Sequence, residues 1–175
     1  GGIRSRIRMS GHPLNAERGT LCLWAASMED LCTWGTPAHI EKHEPGWTSH
    51  AVVSDHASPC NWQDAHFALV WDARWYPQYF AKFFQGGIYQ NAPAPDRIGL
   101  VMAAHWAVHR RRWYLLTLSW DRPAGDYRLY VNGVLIATSN RFAVSAGEPT
   151  GAELFAGHPC WIFSDIQGYD TVLAP

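Results

Sequence analysis

The sequence predicts an all-β protein, an antiparallel sandwich or barrel, and three observations carry that prediction. Several short segments alternate apolar and polar residues with period two. Gly, Pro, Asn and Asp punctuate the chain at short intervals. No stretch shows a convincing helical period. With 47% apolar and 17% charged residues in 175, the chain is globular and long enough for one domain with a substantial core.

The elements follow in order. Ile3, Ser5, Ile7 and Met9 alternate with Arg4, Arg6 and Arg8, the pattern of an edge strand with a solvated cationic face. Gly11-His12-Pro13 turns the chain toward a strand opening at Gly19-Thr20, within which Cys22 reads as a small core residue. Residues 27–50 lack a sustained period and are broken by Gly35, Pro37, Pro45 and Gly46, so they form a long loop. Ala51 to Asp55 reads as a short strand. His66 to Trp71 reads as another, with Phe67, Leu69 and Trp71 on one face. Asp72 to Gln78 is a loop, Phe80 to Phe84 a strand, and Ile98 to Ala104 the strand before His105-Trp106. Arg141 to Val144, Glu153 to Ala156 and the run from Trp161 are late strands.

The most informative stretch is Trp113 to Ala137, three strands joined by two turns. Tyr114, Leu116, Leu118 and Trp120 share one face; Leu115, Thr117 and Ser119 share the other. Asp121 to Asp126, with Pro123 and Gly125, supplies the first turn. Asn132-Gly133 supplies the second, because a type I′ hairpin turn needs positive φ at both central residues. A regular two-residue hairpin sets Val131 opposite Val134 and Leu129 opposite Ile136 on one side. Arg128, Tyr130, Leu135 and Ala137 then take the other.

Trp113-x-x-x-Thr117-x-x-Trp120-Asp121, a turn, then Leu129-Tyr130-Val131-Asn132-Gly133 resembles the hairpin motif of laminin-G-like, concanavalin A-like domains. Leu14-Asn15 followed by Gly19-Thr20-Leu21-Cys22-Leu23-Trp24 resembles that family's early strand. Ser164 to Leu173, with Asp165, Tyr169 and Asp170, resembles its closing strand. The three segments stand in family order and span residues 14 to 173. The resemblance implies a two-sheet jelly-roll β-sandwich over 1–175, a fold that hosts lectins, glycanases, lyases and adhesion modules. It also allows a structural calcium ion bound through Asp, Asn and backbone oxygens; no other cofactor is expected.

Composition limits function further. The formal net charge of −1 gives no bulk attraction to nucleic acid or membrane surfaces, and no apolar run is long enough to span a bilayer. Gly1-Gly2-Ile3-Arg4 has neither an initiator Met nor an apolar leader core, so the chain is expected to be either a processed form or, the favoured reading, a domain of a longer protein; an exported location is the accompanying expectation. Cys22, Cys32, Cys60 and Cys160 form no C-x-x-C pair; Cys32 and Cys60 could bond on export, and three connectivities are open. The 10 Trp and 7 Tyr exceed what a small core needs, and a flat aromatic face can stack on a sugar ring.

The expected function is therefore a non-catalytic carbohydrate-binding module, with a poly- or oligosaccharide and neighbouring domains of the parent chain as partners. Trp34, Trp47, Trp62, Trp75 and Tyr76, all in loop-like sequence, are candidate sugar platforms. His109-Arg110-Arg111-Arg112 is the only dense basic run, and Arg111 within it is a candidate for a carboxylate or sulfate. His39, Glu41 and His43 alternate and could meet a metal ion if extended. The glycanase trio Glu-x-Asp-x-x-Glu, which would set two carboxylates across a scissile bond, is missing. The alternatives are a lyase on an acidic glycan, with a His or Tyr base and Arg neutralisers, and a structural or protein-interaction domain. Lys82 to Gln90 only faintly resembles the alginate-lyase strand.

Overall fold

The computed structural model describes residues 7–10, 14–28, 49–54, 67–72, 78–82, 100–102, 108–139, 153–156 and 161–173. Eleven strands run through them: β1 (Ile7–Ser10), β2 (Arg18–Ser27), β3 (Ser49–Ser54), β4 (Ala68–Asp72), β5 (Gln78–Lys82), β6 (Leu100–Met102), β7 (Trp113–Asp121), β8 (Asp126–Val131), β9 (Val134–Ser139), β10 (Glu153–Ala156) and β11 (Trp161–Tyr169). They form two antiparallel sheets, ordered β1-β10-β3-β4-β5-β6 and β11-β2-β7-β8-β9, with no helix among the described residues. The fold is an all-β, two-sheet jelly-roll sandwich.

The core lies between the sheets because period-two alternation gives each strand one apolar face. From the five-stranded sheet come Leu21, Leu23, Ala25, Tyr114, Leu116, Leu118, Trp120, Tyr127, Leu129 and Val131, all buried; Val52, Val53, Leu69, Leu154 and Ala156 come from the six-stranded sheet. Trp120 and Phe67 meet with ring centroids 5.7 Å apart at 53°. β1 lies at a sheet edge, as its Arg-rich alternation predicts, with Met9 packed against the core. Arg4 and Arg6 fall outside the described residues.

Three expectations change. Leu129 pairs with Ala137, not Ile136, because β9 carries a bulge between Tyr130↔Leu135 and Leu129↔Ala137. One extra residue flips every side chain beyond it, so small Ala137 turns into the core at 8% exposure. Cys22 is half-buried on the outer face, not in the core, because Leu21 and Leu23 on either side take the inward positions; its sulfur lies 3.6 Å from Thr117 Oγ1. The strand expected at Phe80 to Phe84 runs from Gln78 to Lys82, and the one at Ile98 to Ala104 narrows to Leu100–Met102. A second bulge, in β3 opposite β4, lets the adjacent Val52 and Val53 both reach full burial. Arg141 to Val144, Cys32, Cys60 and Cys160 lie outside the described residues.

Two polar devices close the five-stranded sheet. Asn132, at φ 51°, accepts from Leu115 N–H through Oδ1 at 2.9 Å, and its own N–H donates to Leu115 O at 2.8 Å, so the hairpin tip is tied to β7. Thr20, fully buried, donates its hydroxyl to Thr171 O and accepts from Leu173 N–H, both at 2.9 Å, tying the segment after β11 to β2.

Burial holds the Tyr127 phenol protonated to a pH above its ordinary range; Arg122 pulls against this, and Glu17 and Asp121 add to it. The unfolded phenol loses its proton first, from about pH 10. The stabilisation is thus complete below that pH and is lost as pH climbs toward the folded value. Melting curves across the alkaline range should show a steeper fall for the native chain than for Tyr127→Phe. Parallel curves would contradict the assignment.

Candidate functional site

Among the described residues, the outer face of the five-stranded sheet carries exposed aromatic groups, with cationic groups at its ends. On β2, inward Leu21, Leu23 and Ala25 leave Cys22, Trp24 and Ala26 facing outward; on β7, inward Tyr114, Leu116 and Leu118 leave Trp113, Leu115 and Thr117 outward. The register aligns these into rows. Ile162, Ala26 and Trp113 form one; Ser164, Trp24 and Leu115 form the next. Trp24 and Trp113 are therefore diagonal cross-strand neighbours, a relation that spans about 7–8 Å and lies within reach of aromatic rings.

Trp24 is 37% exposed, Trp113 42% and Ile162 41%, whereas Ala26 between them has no exposure. A small residue thus sits among three large apolar ones. Further along the face stand exposed Leu135, opposite buried Tyr130, and Tyr169, whose hydroxyl donates to Gln167 Oε1.

The basic run adjoins this platform. Arg111 N–H donates to Ser27 O at 2.6 Å, Arg112 N–H to His109 O at 3.2 Å, and His109 N–H to the Tyr114 hydroxyl at 3.1 Å. Tyr114 is buried in the core, so the turn is anchored from below and from the end of β2. Arg111 takes φ 58°, a left-handed conformation that costs a β-carbon-bearing residue roughly 1–2 kcal/mol. Such strain persists only where surrounding contacts impose it. His109, Arg110, Arg111 and Arg112 are all exposed, and Trp113 follows them directly.

Of the residues singled out from sequence, Arg111 stands in this corner. Trp34, Trp47, Trp62, Trp75 and Tyr76 lie outside the described residues, as do His39, Glu41 and His43. Sequence reasoning missed Trp24 and Trp113 as surface groups, although the signal was present: each occupies the outward phase of a strand whose inward phase is apolar. Asp165, from the closing motif, sits at a bulge in β11 with φ 48° and accepts from the Ser164 hydroxyl at 3.0 Å. Among the described residues no group of three or more His, Cys, Asp or Glu could hold a metal ion. Among the described residues there is no helix long and apolar enough to cross a membrane.

No protein-family model matches the chain, and no curated protein matches it in sequence. Solved structures match in fold. A candidate carbohydrate-binding protein from Bacteroides ovatus aligns at TM-score 0.58 and 12% identity, over 97% of this chain and 41% of that one. The ligand-binding domain of botulinum neurotoxin serotype D, solved with N-acetylneuraminic acid, aligns at TM-score 0.60 and 11% identity, over 96% and 37%. A heptameric SAP-like pentraxin from Limulus polyphemus aligns at TM-score 0.55 and 15% identity, over 96% and 70%. The chain thus spans about two fifths of the first two structures and most of the third. At these identities the likeness is one of fold.

Proposed function

We propose that this chain is a non-catalytic glycan-recognition module, one unit of a longer exported protein. The observation that carries the reading is the Trp24–Trp113 pair, two indoles exposed at diagonal positions on neighbouring strands of one sheet face. Indole faces pack against the C–H face of a pyranose, and the N–H remains available to a hydroxyl. Strands hold such groups with little conformational entropy left to lose, which favours binding. Structures of the same fold that are described as carbohydrate-binding, or that were solved with a sialic acid, support the reading. Carbohydrate is therefore the proposed partner class. Calcium enters the reading only as a structural ion to be varied in the assay.

The test is a panel of neutral and acidic poly- and oligosaccharides, scored for retention on the immobilised protein with and without calcium. Product is followed by near-ultraviolet absorbance, since a lyase leaves an unsaturated sugar. Retention without product is expected. Product release would replace the reading with a lyase; binding of nothing on the panel would leave a structural or protein-interaction role.

A further inference from the structure

The strained turn before β7 is exposed, yet the fold holds its backbone in place at three points. Its backbone is fixed by Ser27, by its own His109–Arg112 bond and by the buried Tyr114 hydroxyl. It presents Arg111 and Arg112 to solvent immediately before Trp113. Of the described acidic residues, Glu17, Asp121 and Asp126 gather at the far end of the same sheet, where Arg18 pairs with Asp121 and Asp121 with Asp126 in register, whereas exposed Asp165 follows Ser164, the residue opposite Trp24. At the far end Arg128 is already matched, its guanidinium 2.6 Å from Asp126. Arg110, Arg111 and Arg112 thus gather at the Trp113 end of the indole platform, two residues along β2 from the Trp24 row that Asp165 adjoins.

We infer that Arg111 and Arg112, with Trp113 and Trp24, form a subsite for a sugar residue that carries a carboxylate. The inference rests on the glycan reading above and adds its chemical class. An indole face takes the apolar side of the ring. A guanidinium fork donates two parallel hydrogen bonds to the planar carboxylate, and it gives up hydration more readily than an ammonium does. The left-handed turn supplies what such a pairing needs: a fixed origin for two long side chains, so that less freedom is lost when they engage.

The test uses a pair of oligosaccharides differing only in a terminal carboxylated sugar, a third in which a sulfate replaces the carboxylate, and a polyphosphate as a plain anion. Binding is measured by titration calorimetry at low and high salt. The carboxylated member should bind on the order of tenfold tighter than the neutral one, the scale of one charge-assisted pair, and the margin should shrink in high salt. Arg111→Gln/Arg112→Gln should remove that margin and leave the affinity for the neutral member unchanged. Melting curves of the variant serve as the check on folding. Equal affinity for the neutral and carboxylated members overturns the subsite while leaving the glycan reading intact. Equal affinity for the sulfated sugar or the polyphosphate overturns the carboxylate assignment. Failure to bind any member overturns both.

Discussion

Replacing Trp120 by Ala is expected to cost about 3–5 kcal/mol, the range for removing a large aromatic from a close-packed interior. Trp120 is fully buried on the inner face of β7, and its ring meets Phe67 across the sandwich. Its indole N–H donates to Asn15 O at 2.8 Å, holding the chain entering β2 against the sheet. The substitution therefore opens a cavity, removes a contact between the two sheets and strips a donor from a part-buried carbonyl. Against a total stability of about 5–15 kcal/mol, this is a large fraction. The melting temperature should fall on the order of 10 °C for a chain of this length. Trp120→Phe keeps a six-membered ring in the core but loses the donor and part of the indole's volume, so it should cost less than Ala, about 1–3 kcal/mol. Denaturant unfolding of both variants checks the order. Equal losses would contradict the view that ring volume facing Phe67 sets the cost.

Gly19→Ala should be the most damaging single-methyl insertion in the described sheet. Gly19 lies opposite Trp120 on the neighbouring strand. A Cβ there would come within 2.6 Å of Trp120 Cζ2 and 2.8 Å of Tyr169 O. Neither neighbour can yield easily: one is a buried ring fixed on its other side by Phe67, the other the backbone of β11. Overpacking of this kind costs about 1–3 kcal/mol and shifts strands. Gly168→Ala is the internal control, since its Cβ would meet only the flexible end of Leu14, at 3.2 Å. Its loss should be clearly smaller. Because Gly19 and Trp120 share one contact, their effects should not add: Trp120→Phe should recover part of the Gly19→Ala loss.

These two residues also show what the sequence made legible. The alternation Tyr114, Leu116, Leu118, Trp120 gave the inward face of β7 correctly, because one environment repeats every second residue without interruption. The Asn132-Gly133 turn and the Val131–Val134 pair are equally local, and both stand in the structure, with Asn132 and Gly133 at positive φ. The bulge at Ile136 was not legible. Nothing within β9 marks an extra residue; what places it is the fit of Ala137 beneath Leu129, a demand of the partner strand. Cys22 was misplaced for the opposite reason: its apolar chemistry outweighed a phase that its neighbours Leu21 and Leu23 had already set.

The candidate site divides in the same way. Arg111 stood out because three adjacent Arg are rare in so neutral a chain, and the structure sets it beside the indoles. Trp24 and Trp113 were readable as outward from phase alone. Their adjacency was not, since it depends on the β2–β7 register, with Trp24 opposite Leu115 and Ala26 opposite Trp113. Pairing across 90 residues of intervening chain leaves no local trace. Attention to loop aromatics came from the general rule that binding groups sit on loops. The loop aromatics lie outside the described residues, and the proposed sheet face does not follow that rule.

The most direct measurement is calorimetric titration of a panel-selected oligosaccharide into the native chain and into Trp24→Ala/Trp113→Ala, with melting curves confirming that both are folded. Both residues are partly exposed and outside the core, so the double variant should fold. The glycan reading predicts that it loses about 2 kcal/mol or more of binding free energy, roughly thirtyfold in Kd, as expected for central aromatic anchors. Undiminished affinity in a folded double variant would contradict the placement of the site on this face.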